Sequence, residues 1–83
     1  MDDGYCDDVL PSGLDIKFMD VEADGNDVIE FVVRFGATSV GRLSIFRPFD
    51  GSWSDAKVIV DPEGDAIPVA AIAWAIEAAR KRL

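Results

Sequence analysis

Between Val28 and Phe35 every second residue is apolar, with Ile29, Phe31, Val33 and Phe35 separated by Glu30, Val32 and Arg34. A period of two places alternate side chains on opposite faces of an extended backbone, so this segment reads as a strand with one buried face and not as an amphipathic helix. A strand needs neighbours, and the flanking sequence supplies them. Leu14, Ile16 and Phe18 alternate with Asp15 and Lys17, and then the apolar phase slips to Met19, Val21 and Ala23. Such a slip moves side chains to the other face, which predicts a bulge near Phe18 and Met19. Asp24-Gly25-Asn26-Asp27 is a hairpin signal, because these residue types tolerate positive φ. Gly36 to Ser39 reads as a turn into a third strand, where Leu43 and Ile45 alternate with Arg42, Ser44 and Phe46 until Pro48. Ala56, Val58 and Val60 share one face of a fourth strand, which Pro62 stops. The expected strands are about 14–23, 28–36, 40–47 and 56–61.

The period then changes. Residues 66–83 are expected to form a helix, with Asp65 as capping candidate, Pro68 in the first turn, and Arg80, Lys81 and Arg82 complementing the dipole of the last turn. Glu77 and Lys81 stand in the favourable i, i+4 order. At 100° per residue, Val69, Ile72, Ala73, Ile76, Ala79 and Leu83 form one stripe, which is expected to pack on the sheet. The fold class is α+β: a four-stranded antiparallel meander with one C-terminal helix packed on one face, ββββα. The opposite side of the helix is apolar as well. Ile67, Ala70, Ala71, Trp74 and Ala78 are either covered by the chain itself, or the true core stripe, or a face for a partner or a second copy centred on Trp74.

At 83 residues the chain forms one small domain, expected over 13–83. Residues 1–12 hold four aspartates, Gly4 and Pro11 with no apolar periodicity, and are expected to be a mobile acidic arm. The single cysteine, Cys6, has no partner for an intrachain disulfide, which fits a reducing compartment. The start of the chain lacks the pattern of a signal peptide, and the longest apolar run, Ala66 to Ile76, is too short for a membrane span. A cytoplasmic protein without membrane contact is expected.

Charge narrows the function classes. Residues 1–30 hold ten of the sixteen acids against Lys17 alone, a net charge of −9, whereas 31–83 carry +1. The absence of histidine removes the usual Ser-His-Asp and Cys-His systems and any His-ligated metal site. Asp20-x-Glu22-x-Asp24-Gly25 resembles the opening of a calcium loop, but Phe31 stands where a bidentate Glu is needed. Gly36-x-x-x-x-Gly41 echoes a P-loop, but Arg42 and Leu43 replace its Lys and Ser/Thr. No catalytic residue, metal or cofactor is therefore expected.

Direct nucleic-acid binding is disfavoured, since phosphate affinity depends on Lys and Arg. The inverse is favoured: a protein partner with a basic surface, within a nucleic-acid-handling complex, meeting Asp15, Asp20, Glu22, Asp24, Asp27 and Glu30. Alternate strand residues recur at about 6.6–6.8 Å, near two base steps of about 3.4 Å, so Asp20, Glu22 and Asp24 suggest a nucleic-acid mimic. In size and charge the chain suits the character of phage-encoded nuclease antagonists such as anti-CRISPR proteins, without sharing a motif with them. The leading expectation is thus an inhibitor or adaptor. The alternatives are a homo-oligomeric assembly protein using the Trp74 face, and a weak divalent-metal domain or carboxylate enzyme. On the sheet face away from the helix, Arg34 is expected together with Lys17, Arg42 and Lys57, paired with Glu30 and Asp15 or covered by the acidic arm.

Overall fold

The computed structural model describes residues 13–83; Cys6 and the expected arm, 1–12, lie outside the described residues. Four strands, β1 (Leu14–Ala23), β2 (Asn26–Phe35), β3 (Ser39–Pro48) and β4 (Lys57–Val60), precede one helix, α1 (Val69–Arg82). The sheet is an antiparallel meander in the order β1-β2-β3-β4. The ββββα architecture read from the sequence is the one observed.

Register departs from expectation in β1. Pairing runs without interruption from Leu14 opposite Phe35 to Ala23 opposite Asn26, so there is no bulge at Phe18 and Met19. The turn sets this register. Asp24 at φ 52° and Gly25 at φ 81° form a two-residue connection with both central residues left-handed, which matches the twist of a hairpin and starts β2 at Asn26 instead of 28. The slip in apolar phase is absorbed by the two faces. Leu14, Ile16 and Phe18 pack toward α1, Met19 and Val21 lie on the opposite face, and Asp20 and Glu22 take the helix-side positions nearest the hairpin turn.

The core is formed by Ile29, Phe31, Val33, Leu43 and Ile45 of the sheet and by Ala71, Trp74, Ala75, Ala78 and Ala79 of α1. Burial of each large side chain contributes about 1.5–3 kcal/mol. The helix packs through the i, i+3, i+4, i+7, i+8 stripe starting at Ala71, and not through the stripe expected. Val69 is 82% exposed and Ile76 39%; Ala73 is also exposed, while Ile72 and Leu83 only border the core. Volume explains the choice. The sheet already contributes phenylalanines and branched aliphatics, and close packing against them needs small residues on the helix, with Trp74 as the one large insertion.

Both ends of α1 are held. It starts at Val69 rather than 66, because the Asp65 carboxylate is engaged by the Val40 N–H (3.0 Å) and caps no helix. Pro68 is the N-cap residue, and its carbonyl accepts from Ala71 N–H and Ile72 N–H. Glu77 pairs with Arg80 at 3.5 Å. The N-terminal approach passes over β3, where Ile67 meets Gly41, and the C-terminal end reaches β1, where Arg82 lies 5.0 Å from the Phe18 ring centroid. The helix therefore crosses the sheet diagonally from β3 to β1. It leaves Val58 and Val60 of β4 exposed, although they lie on the helix side. A short 3-10 turn, Trp53–Asp55, precedes β4 and moves its start from 56 to Lys57.

Candidate functional site

The six carboxylates expected to form one surface are divided by strand parity. Asp15 and Glu30 lie on the face of the sheet away from α1, Asp20, Glu22 and Asp27 lie on the helix side, and Asp24 occupies the turn. A single row of acids is thus not formed. Asp20 and Glu22 keep the spacing of alternate strand residues, but Asp24 leaves it.

What the fold gathers instead is a cluster at the β1–β2 turn. Glu22 is directly opposite Asp27, and both stand beside Asp20 at the C-terminal end of α1. The Phe49 N–H donates to the Gly25 carbonyl at 3.1 Å, which fixes the loop holding Asp50 against the hairpin turn. Two arginines reach in. Arg82 Nε donates to Asp20 Oδ1 at 3.2 Å while another guanidinium nitrogen contacts Oδ2 at 2.6 Å, a bidentate pair. Arg47 contacts Asp27 Oδ2 at 3.0 Å and the Gly51 carbonyl at 3.3 Å, tying β3, the hairpin and the following loop together. Of the five carboxylates Asp20, Glu22, Asp24, Asp27 and Asp50, these two guanidiniums engage Asp20 and Asp27. Those of Glu22, Asp24 and Asp50 have no ion-pair partner among the described residues.

Asp20, Glu22, Asp27, Arg82 and Leu83 border a cleft of about 330 Å³. The hydrogen bond from Arg82 holds the Asp20 carboxyl below its usual range, partial burial opposes this, and the guanidinium charge adds to it. A carboxylate so held stays ionised and presents charge; it is poorly suited to donating a proton. Its contribution to stability is complete above the ordinary aspartate value of 3.8 and is lost as pH falls through the lowered folded value. In Arg82→Gln the Asp20 titration midpoint, followed by carboxyl NMR, is expected to rise toward the ordinary value. Stability near neutral pH should fall by no more than about 1 kcal/mol, because the pair is solvent-exposed. An unchanged midpoint would show that Arg82 does not engage Asp20 in solution.

The Trp74 face does not form a docking surface. Trp74, Ala71 and Ala78 are buried, Ile67 packs at the border of the core, and Ala70 alone of that set is exposed. Trp74 is directed at the sheet, with its ring centroid 6.2 Å from that of Phe18. On the far face of the sheet, Arg34 is joined by Lys17, Arg42 and Lys57 as expected. Asp15 is opposite Arg34 in register, yet none of these four cations has an ion-pair partner among the described residues.

The residues that echoed known loops fall into hairpin roles. Phe31 is core, Gly36 takes φ 64° in the β2–β3 turn, and Gly41 is buried within β3. Among the described residues no group of three or more Asp, Glu, Cys or His side chains is arranged to hold a metal ion, and no helix is long and apolar enough to cross a membrane. Sequence reading missed Arg47, Arg82 and Asp50. Arg47 carried a detectable signal, since a strand cation near Pro48 falls beside the β1–β2 turn once a meander is assumed; Arg82 did not, because the crossing direction of the helix was unknown. No protein-family model matches the chain, no curated protein matches it, and no solved structure matches it.

Proposed function

We propose that the chain acts without catalysis, as a small inhibitor or adaptor that sets the carboxylate-rich end of its first hairpin against a basic, nucleic-acid-binding surface of a protein partner. The carrying observation is the group Glu22, Asp24 and Asp50, three carboxylates without ion-pair partners among the described residues, displayed on backbone held by the hairpin turn and the Phe49–Gly25 hydrogen bond. Fixed charges at a projecting end steer a partner of opposite sign and select for its geometry. Asp20 and Asp27 stand behind this group, and the guanidiniums of Arg82 and Arg47 keep their positions fixed while offsetting part of their charge. Nucleic-acid mimicry is then local, a carboxylate cluster that competes for a phosphate pocket, and not a long row along one strand. A phage-encoded antagonist of a host nuclease, of the anti-CRISPR kind, is the biological setting that suits an acidic domain of this size in the cytoplasm.

The test is capture of partners from a host lysate by the full chain at low and at high salt, beside the variant Glu22→Gln/Asp24→Asn/Asp50→Asn. A nucleic-acid-handling protein is expected to be retained at low salt and released near about 0.5 M. Its affinity for the variant should be lower by about tenfold or more, and duplex DNA should compete with the chain for it. Asp24→Asn keeps the turn, because asparagine tolerates positive φ. Retention of the same partner by the variant at unchanged affinity would reject the proposal.

A further inference from the structure

We infer that this protein forms a two-fold homodimer through the outer edge of β4, which pairs antiparallel with β4 of a second copy to make one continuous eight-stranded sheet. The edge is open and apolar: Val58, Ile59 and Val60 are each about half exposed or more, and among the described residues no strand or loop pairs with its outer side. The other edge, β1, is protected differently, with charges on both faces at Asp15, Lys17, Asp20 and Glu22.

Backbone geometry selects the register. The Asp61 N–H donates to the Arg42 carbonyl at 2.9 Å, so Asp61 directs its backbone groups at β3. Alternation along an antiparallel strand then turns those of Ile59 and Lys57 toward β3, and those of Val58 and Val60 outward. An added strand must therefore exchange its hydrogen bonds with Val58 and Val60. With Val58 opposite Val58 of the second copy, Val60 would face Ala56, whose N–H is already donated to the Trp53 carbonyl at 3.0 Å. With Val60 opposite Val60, Val58 would face Pro62, which has no N–H. The arrangement with Val58 opposite Val60 satisfies both residues of both copies.

Side chains agree with that register. It sets Ile59 against Ile59 at the two-fold axis and Lys57 against Asp61 on each side, on the same face of the sheet. The edge is thus complementary to itself when reversed, as a two-fold interface requires. An axis normal to the sheet keeps both helices on one side. There Val58, with Ile45 and Trp53, borders a groove of about 220 Å³ below Ile76, which the diagonal helix leaves open. Pairing places two such grooves on the same side of the joined sheet, each bordered by its own Val58. The Glu22, Asp24 and Asp50 cluster takes no part, so dimerisation stands or falls independently of the proposed function.

Sedimentation of the full chain between about 1 μM and 1 mM is expected to show a monomer passing to a dimer. Ile59→Lys, at a side chain 59% exposed, should stay monomeric throughout with an unchanged circular dichroism spectrum. Lys57→Glu should weaken association about tenfold, and Lys57→Glu/Asp61→Lys should recover most of it. Amide exchange at Val58 and Val60 should slow as concentration rises, with no such change at Lys57 or Ile59. A monomer at every concentration, or a dimer indifferent to Ile59→Lys, would overturn the inference. A dimer that Lys57→Glu weakens but the double exchange does not restore would overturn the register.

Discussion

Trp74→Ala is expected to destabilise the fold by about 3–5 kcal/mol, the largest loss from any single truncation of the helix. The side chain is 9% exposed and inserts between the sheet and the alanine stripe, against Phe18. Its immediate helix neighbours on that face, Ala71, Ala75 and Ala78, have no rotamers with which to fill a cavity, so the site collapses poorly. Domains of this length have a total stability of about 4–12 kcal/mol, so the loss takes a large share of it and the variant is expected to unfold at a much lower urea concentration than the parent. Urea or thermal unfolding measures it. Val69→Ala, at a residue 82% exposed, is the matching control and should change stability by no more than about 0.5 kcal/mol. Equal losses in the two variants would mean that the helix packs through its other stripe.

Gly41→Ala is expected to cost about 1–3 kcal/mol, although it adds a single carbon to a strand that would otherwise gain from losing a glycine. A Cβ at this position would lie 2.5 Å from Ile67 Cγ1 and 3.1 Å from the Asp65 carbonyl oxygen. Ile67 has little room to yield, because it packs at the border of the core, and Asp65 is held by its bonds with Val40. The substitution therefore acts on the segment that leads into α1. Loss of stability should be accompanied by faster amide exchange over residues 65–71, and a variant as stable as the parent would show that this approach is looser than described.

Much of the fold was legible in the residues, and where reading failed it failed for a definite physical reason. Alternation in β2 and the punctuation at Gly25, Gly36 and Pro62 were enough for four strands in sequential order, because hairpin-length connections leave few topologies. Periodicity along α1 offered two apolar stripes and could not rank them. The larger residues, Val69, Ile72 and Ile76, have the greater hydrophobic content, yet the alanine stripe is buried because complementarity with Phe31, Ile29 and Leu43 depends on the volume of both partners. The acidic surface was legible in composition but not in arrangement. Strand parity separated Asp15 and Glu30 from the others, and the two arginines that tether Asp20 and Asp27 arrive from distant parts of the chain. That β4 is an edge follows from the meander, but its uncovered apolar face was not legible, since the direction of the helix decides which strand is left exposed.

Because α1 follows all four strands, the apolar row of Ile29, Phe31, Val33, Leu43 and Ile45 emerges during synthesis well before the stripe that covers it. The hairpins join residues near in sequence and can pair quickly, but the sheet they make has a wet hydrophobic face and no reason to persist. Docking of α1 is then the committing step, so the nascent chain is most vulnerable to aggregation and proteolysis in the interval between β3 and Trp74.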